Sequence, residues 1–196
     1  MTGRARRIAD VALAAVALAV LAPIGLLVGL AILVSSGPPV IFRQRRCGLH
    51  GAEFVILKFR TLRPPRHPGQ SDRERLTRLG ALLRWTSVDE IPQLINILRG
   101  DMSVIGPRPT LPEQVHRYTP RQRGRLAVRP GLTGWAQVSG RNGLSWPDRI
   151  ELDLWYIENR SWRLDLWITV RTVANLLWPR GVVGAGGVNP GLGDAD

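Results

Sequence analysis

The stretch IADVALAAVALAVLAPIGLLVGLAILVSS, residues 8–36, decides the architecture. From Ile8 to Val34 it is apolar apart from Asp10. At ~1.5 Å per residue, a straight helix of this length exceeds the ~30 Å hydrocarbon core of a bilayer. A cleaved signal peptide fits poorly: the Arg4, Arg6 and Arg7 start is suitable, but the apolar run is too long and no small-residue cleavage site follows it. Pro23, followed by Gly25, removes a helical hydrogen bond and predicts a break or kink in the middle. Positive charge lies at both ends, with Arg4, Arg6 and Arg7 before the segment and Arg43, Arg45 and Arg46 after it. Arginine-rich flanks stay on the cytoplasmic side, so both ends ask for the same side. A re-entrant helix–break–helix dipping into one leaflet satisfies both observations, with an ordinary kinked transmembrane helix as the alternative. Asp10 can sit at headgroup level in either.

The rest of the chain is globular in composition. Its 196 residues suit one domain, at 44% hydrophobic and 21% charged. The single cysteine, Cys47, excludes an internal disulfide and a cysteine zinc cluster. The net charge of +12 is almost wholly arginine, Lys58 being the only lysine. Guanidinium forks suit phosphate, so nucleic acid, anionic lipid or phosphorylated small molecules are the expected partners. A GC-rich coding sequence would also favour arginine, but not at particular motif positions.

Beyond the turn at Ser35–Pro39, Val40–Gln44 and Glu53–Arg60 read as two strands joined through Gly48 and Gly51. Pro64–Gln70 is a proline-rich loop. Leu76, Leu79, Leu82 and Leu83 predict a helix over Arg73–Trp85, and a second helix covers Glu90–Leu98, ending at Arg99-Gly100. Leu111–Leu126 reads as polar helix or coil, Trp135–Val138 as a strand, and Trp146–Asn159 and Trp162–Trp178 as helices. In the last helix, tryptophan and arginine (Trp162, Arg163, Arg171) suit a helix lying in a membrane interface; a core-packing helix is the alternative. Gly181–Asp196 is glycine-rich and reads as a disordered tail. The fold class expected is α/β, mostly helical, with the N-terminal re-entrant helix and interfacial amphipathic helices. Its divisions are residues 1–36 for the membrane anchor, 37–180 for a cytoplasmic-face catalytic domain and 181–196 for the tail.

Two adjacent acids, Asp89 and Glu90, stand at the start of the second helix. Ser87 and Glu90 have capping-box spacing, but Pro92 is harmless only in a first helical turn, which makes Asp89 the natural N-cap instead. Capping alone would be a bland role. The surroundings argue for more: Arg84 lies upstream, Arg108 is locked between Pro107 and Pro109, and Lys58 and Arg60 end an apolar strand. Cations converging on a helix N-terminus make a phosphate site. An aspartate there can attack phosphorus, and a neighbouring carboxylate can hold Mg²⁺.

The segments SSGPPVIFRQ (35–44), KFRTL (58–62), RWTSVDEIPQLINILRGDMSVIGPRP (84–109), RPGLTGWAQVSGRN (129–142) and LDLWYIEN (152–159) run in order over nearly the whole chain. Together they resemble the monotopic polyprenol-phosphate phosphoglycosyl transferases, the bacterial sugar transferase family. The long central motif is the specific one. The resemblance implies a re-entrant membrane helix and a two-step reaction through a covalent intermediate. In it Asp89 attacks the β-phosphorus of a UDP-sugar, UMP leaves, and polyprenol phosphate takes the phosphosugar. It further implies Glu90, with Asp89, as Mg²⁺ ligand, and Lys58, Arg60, Arg84, Arg108 and Arg141 as substrate-binding cations. The partners implied are UDP-sugar, polyprenol phosphate and membrane lipid, at the cytoplasmic face of the bacterial inner membrane, with a homodimer allowed and no nucleic acid. Two departures stand out: Ala22 where members often carry Ser before the proline, and Leu62 in place of the more usual Met. Against nucleic acid, the Glu90–Leu98 helix carries no basic residue before Arg99. A catalytically dead scaffold would not need the Asp89-Glu90 pair.

Overall fold

The computed structural model describes residues 3–140 and 144–177. Among them, α1 (Gly3–Ser36) is followed by the antiparallel hairpin β1 (Ile41–Cys47) and β2 (Glu53–Phe59), then α2 (Asp72–Arg75), α3 (Arg78–Thr86), α4 (Gln93–Arg99) and β3 (Ser103–Ile105). After these come α5 (Pro112–His116), β4 (Gly131–Thr133), α6 (Trp135–Ser139), α7 (Trp146–Glu158) and α8 (Trp162–Leu177). The result is mostly helical, with two small sheets: β1 with β2, and the parallel pair β3 with β4.

Of the break or kink expected at Pro23, the break is absent: α1 runs without a gap over 34 residues with Pro23 inside it. One proline deletes one donor, and the ladder on either side continues without it. The helix is long and apolar enough to cross a membrane, yet one stripe of it packs along the globular body. Ala14, Ala17, Leu18 and Leu21 lie on Ile56, Leu94, Ile97 and Met102, and Val28 and Ile32 lie on Phe59 and Leu83. Positions spaced by three and four residues share a helix face. The remainder is open, with Ile8, Val16, Val20, Leu26, Leu27 and Val34 exposed.

Polar groups fasten both ends of α1 to the same body. Arg7 donates to the carbonyls of Ile97 (2.6 Å) and Leu98 (2.9 Å), in the last turn of α4. Asp10 accepts from Ser103 Oγ and from Val104 N–H (2.9 Å), so it is not placed for a headgroup alone. Arg6 pairs with Asp165 of α8. At the other end, Arg60 Nη2 donates to the carbonyls of Ser36 (2.8 Å) and Gly37 (2.5 Å), and its Nη1 to Pro38 (2.9 Å).

Two further expectations are corrected. Trp135–Val138 is helical, not a strand: the parallel strand lies just upstream at Gly131–Thr133, and Gln137 turns back to donate to Leu132 O at 3.0 Å. The Arg73–Trp85 helix is two pieces, because Leu76 is extended and bridges Leu62. Leu111–Leu126 resolves into α5 and a 3-10 segment, Gln122–Ala127. α8 combines features of both readings given for it. Asp165 and Ile168 face inward, while Leu166, Val170, Val173 and Leu177 are exposed, an apolar face turned outward. The glycine-rich tail, Trp178 and Arg141 lie outside the described residues.

Candidate active site

The site forms where α3 hands over to α4. Ser87 ends α3 in the left-handed region (φ 59°), and Val88–Glu90 then make a single 3-10 turn. The capping box is absent, as Pro92 requires, but Asp89 is not the N-cap either: α4 begins at Gln93 after Pro92. The side chain of Asp89 is therefore free of capping duty. It is only 7% exposed, and among the described residues it accepts no hydrogen bond.

Three elements bring cations to this turn. Lys58, near the end of β2, donates from Nζ to Glu90 Oε1 at 2.6 Å. Arg108, from the Gly106–Pro109 loop, approaches the same oxygen at 3.6 Å. Arg84, in the last turn of α3, is oriented by Thr61, whose Oγ1 accepts its Nε at 2.9 Å. That docking depends on Gly80, one turn earlier, where a Cβ would stand 2.1 Å from Thr61 O. Arg60, expected near the site, points away from it. Its guanidinium faces three successive carbonyls at the end of α1, where a five-donor fork has its best match.

The two adjacent carboxyls are driven apart. Burial, then the negative charge of Glu90, raises the pKa of Asp89 to about 6, against the pull of Lys58, Arg84 and Arg108. Burial would also raise Glu90, but the charges of Lys58 and Arg108 outweigh it and hold Glu90 at about 2. Neighbouring titratable groups pushed in opposite directions mark a division of labour. Glu90 is held as the anion by its cations, and Asp89 is the poorly solvated carboxyl of the pair.

Glu90 and Asp89 are the side chains of this turn that could hold a divalent ion. Lys58 and Arg108 both address Oε1 of Glu90, so Oε2 is the oxygen left for a metal. Among the described residues no group of three or more His, Cys, Asp or Glu side chains converges. Mg²⁺ commonly takes one or two carboxylates and completes its shell with water and substrate phosphate, which is what Glu90 and Asp89 can offer.

Two polar residues of this site escaped the sequence reading. Gln93 is 2% exposed beside Glu90, and its Nε2 completes no hydrogen bond within the described chain. Asn96, fully buried, accepts Leu57 N–H (3.0 Å) and donates to Val55 O (2.8 Å), tying α4 to the strand that carries Lys58. Their signal was visible: two amides three apart on one face of a helix otherwise filled by Leu94, Ile97 and Leu98.

Comparison with known proteins agrees with the geometry. The bacterial sugar transferase family model matches residues 1–179, and the chain belongs to that family. It is an enzyme, a sugar-phosphate transferase. The UDP-glucose:undecaprenyl-phosphate glucose-1-phosphate transferase of Caulobacter vibrioides is 44% identical over 185 residues, covering 88% of this chain and 69% of the relative. The exopolysaccharide production protein ExoY of Rhizobium meliloti is 38% identical over 199 residues, covering 91% and 88%. EpsL of Bacillus subtilis, described as an uncharacterized sugar transferase, is 48% identical over 149 residues, covering 74% of each chain.

Proposed function

We propose that the chain transfers a phosphosugar from a UDP-sugar to undecaprenyl phosphate through a covalent intermediate on Asp89, starting the assembly of an exopolysaccharide or related glycan. The observation that carries this reading is the turn itself: a buried carboxylate without a hydrogen bond among the described residues, beside one paired to Lys58 and Arg108, with Arg84 close by. A carboxylate oxygen of Asp89 forms a bond to the β-phosphorus of the donor. The bond from that phosphorus to the bridging oxygen breaks, and UMP leaves with the electron pair. A phosphate oxygen of the lipid carrier then attacks the same phosphorus, the Asp89 oxygen departs as carboxylate, and polyprenyl-diphosphate-sugar is formed.

The cations have distinct parts. Arg84, fixed by Thr61, and Arg108, on its proline-bounded loop, neutralise the phosphoryl oxygens as charge redistributes. Lys58 holds Glu90 in place. When bound at Glu90 and Asp89, Mg²⁺ would offset the repulsion between carboxylate and diphosphate.

The carrier lipid requires the site to work at a membrane surface. In this reading α1 is seated in one leaflet, the cytoplasmic one, without crossing. Its support is that Arg7 at one end and Ser36 at the other bond to the same body, with an apolar stripe open along the length between them. The outward apolar face of α8, with Arg163 and Arg171, suits the same interface.

The test is a panel of UDP-sugars presented with undecaprenyl phosphate vesicles and Mg²⁺, scored by UMP release. One donor should be turned over by the wild type and not by Asp89→Asn. Turnover that survives Asp89→Asn would remove the nucleophile and the reading with it.

A further inference from the structure

Arg108 differs from the other site cations in how its backbone is held. Pro107 and Pro109 fix their own φ, restrict the residues before them and carry no N–H. The loop is therefore anchored through its carbonyls, and four in succession are engaged. Pro107 O accepts Gly131 N–H at 2.9 Å, Arg108 O accepts Arg125 Nη2 at 3.3 Å, Pro109 O accepts Arg46 Nη1 at 3.2 Å, and Thr110 O accepts Cys47 N–H at 2.8 Å. The side chain of Arg108 remains outside this cage, 45% exposed and 3.6 Å from Glu90.

Two of the four anchors are arginine side chains drawn from elsewhere in the chain. Arg125 is 3% exposed and employs its whole fork. Nε and Nη2 donate to Asp153 Oδ2 (2.9 and 2.6 Å), and Nη1 donates to Thr110 Oγ1 (3.2 Å) and to the hydroxyl of Tyr118. Tyr118 in turn donates to Thr110 Oγ1 at 3.1 Å. Arg46 leaves β1 to reach Pro109 O and is steadied by Gln44, whose Oε1 accepts its Nη2 at 2.7 Å. Burial, with the nearby charge of Arg108, lowers the pKa of Arg46 to about 10, so the protein holds it there against its own solvation and against a like charge.

We propose that Arg125 and Arg46 are positioning residues that lock the backbone beneath Arg108, so that its guanidinium meets the transferring phosphoryl group already in place. This rests on the transferase reading above. Neither residue touches substrate in this account; both act through Arg108. Pre-set geometry lowers the barrier because no reorganisation is needed as the reaction proceeds.

A double-mutant cycle tests it. In the wild-type background, Arg46→Gln should lower kcat for UMP release about 10-fold while the donor KM changes less than ~3-fold, as expected when an interaction made only in the transition state is lost. Arg125→Lys, which keeps the charge and loses the fork, should act in the same direction. In an Arg108→Ala background both effects on kcat should shrink to under ~2-fold, because nothing is left for the anchors to position. Melting temperatures, measured on every variant, should fall by the same amount in the two backgrounds. The inference is overturned if each anchor lowers kcat by the same factor whether or not Arg108 is present, or if both variants keep the wild-type kcat. A wild-type chain that releases no UMP from any donor would instead sink the transferase reading, and the inference with it.

Discussion

Two arginine–carboxylate clusters in this molecule invite comparison. In one, Arg125 and Asp153 are each 2% exposed at the side chain, and the arginine fork is filled by Asp153, Thr110, Tyr118 and a backbone carbonyl. In the other, Lys58 and Arg108 share one oxygen of Glu90, whose side chain is 20% exposed, beside an Asp89 that accepts no hydrogen bond among the described residues. In the first every arginine nitrogen is matched, and the cluster builds a scaffold. The second has three cations around two carboxyls, one of them without a hydrogen bond among the described residues, an arrangement that suits the anionic substrate proposed for it. Burial of an ion pair says little about its role; what matters is whether its donors are already satisfied.

Substitutions should separate the two clusters. The largest effect falls on Asp89→Asn, which should lower UMP release by ~10³-fold or more, measured by single turnover with intact folding checked by circular dichroism. Arg108→Ala should lower kcat about 100-fold, and Lys58→Met somewhat less, since Glu90 keeps Arg108 when Lys58 is gone. In the closed cluster the loss is in folding: Arg125→Leu strands Asp153 and should cost ~3–5 kcal/mol in urea unfolding, more than any of the active-site substitutions.

The pH profile sharpens the contrast. Asp89 must be ionised to attack, so kcat/KM should rise with pH through about 6 and then level. Glu90, held at about 2, contributes no inflection across that range. Stability runs the other way. A carboxyl whose pKa in the fold lies above its free value opposes folding once it ionises, so the stability tied to Asp89 is greatest at low pH and is lost as pH rises to about 6. Asp89→Asn should therefore raise the melting temperature near pH 7 by a few degrees, ~1 kcal/mol after allowance for coupling to Glu90. A variant that is both dead and more stable would mark the turn as strained for function.

Much of this was legible in the sequence, and the failures share a cause. The hairpin, α7, α8 and the convergence of Lys58, Arg84 and Arg108 on Asp89-Glu90 follow from periodicity, turn residues and motif spacing. The errors came where long-range contacts override local signals. Arg60 sits two residues from Lys58 but answers to the end of α1, and Trp135–Val138 has strand-forming residues but follows a strand already paired with β3. Arg125 and Arg46 carry no local mark at all. Their partners lie 15 and 63 residues away, at Thr110 and Pro109, so only the folded chain reveals them.

The central claim is that the sugar-phosphate passes through Asp89. Intact-mass analysis of the protein after incubation with its UDP-sugar and Mg²⁺, with no lipid carrier present, tests this most directly. The account predicts a mass increase equal to one sugar-phosphate, mapped to the peptide holding Asp89 and discharged when undecaprenyl phosphate is added. No added mass, together with transfer that occurs only when donor and lipid are bound at once, would contradict it.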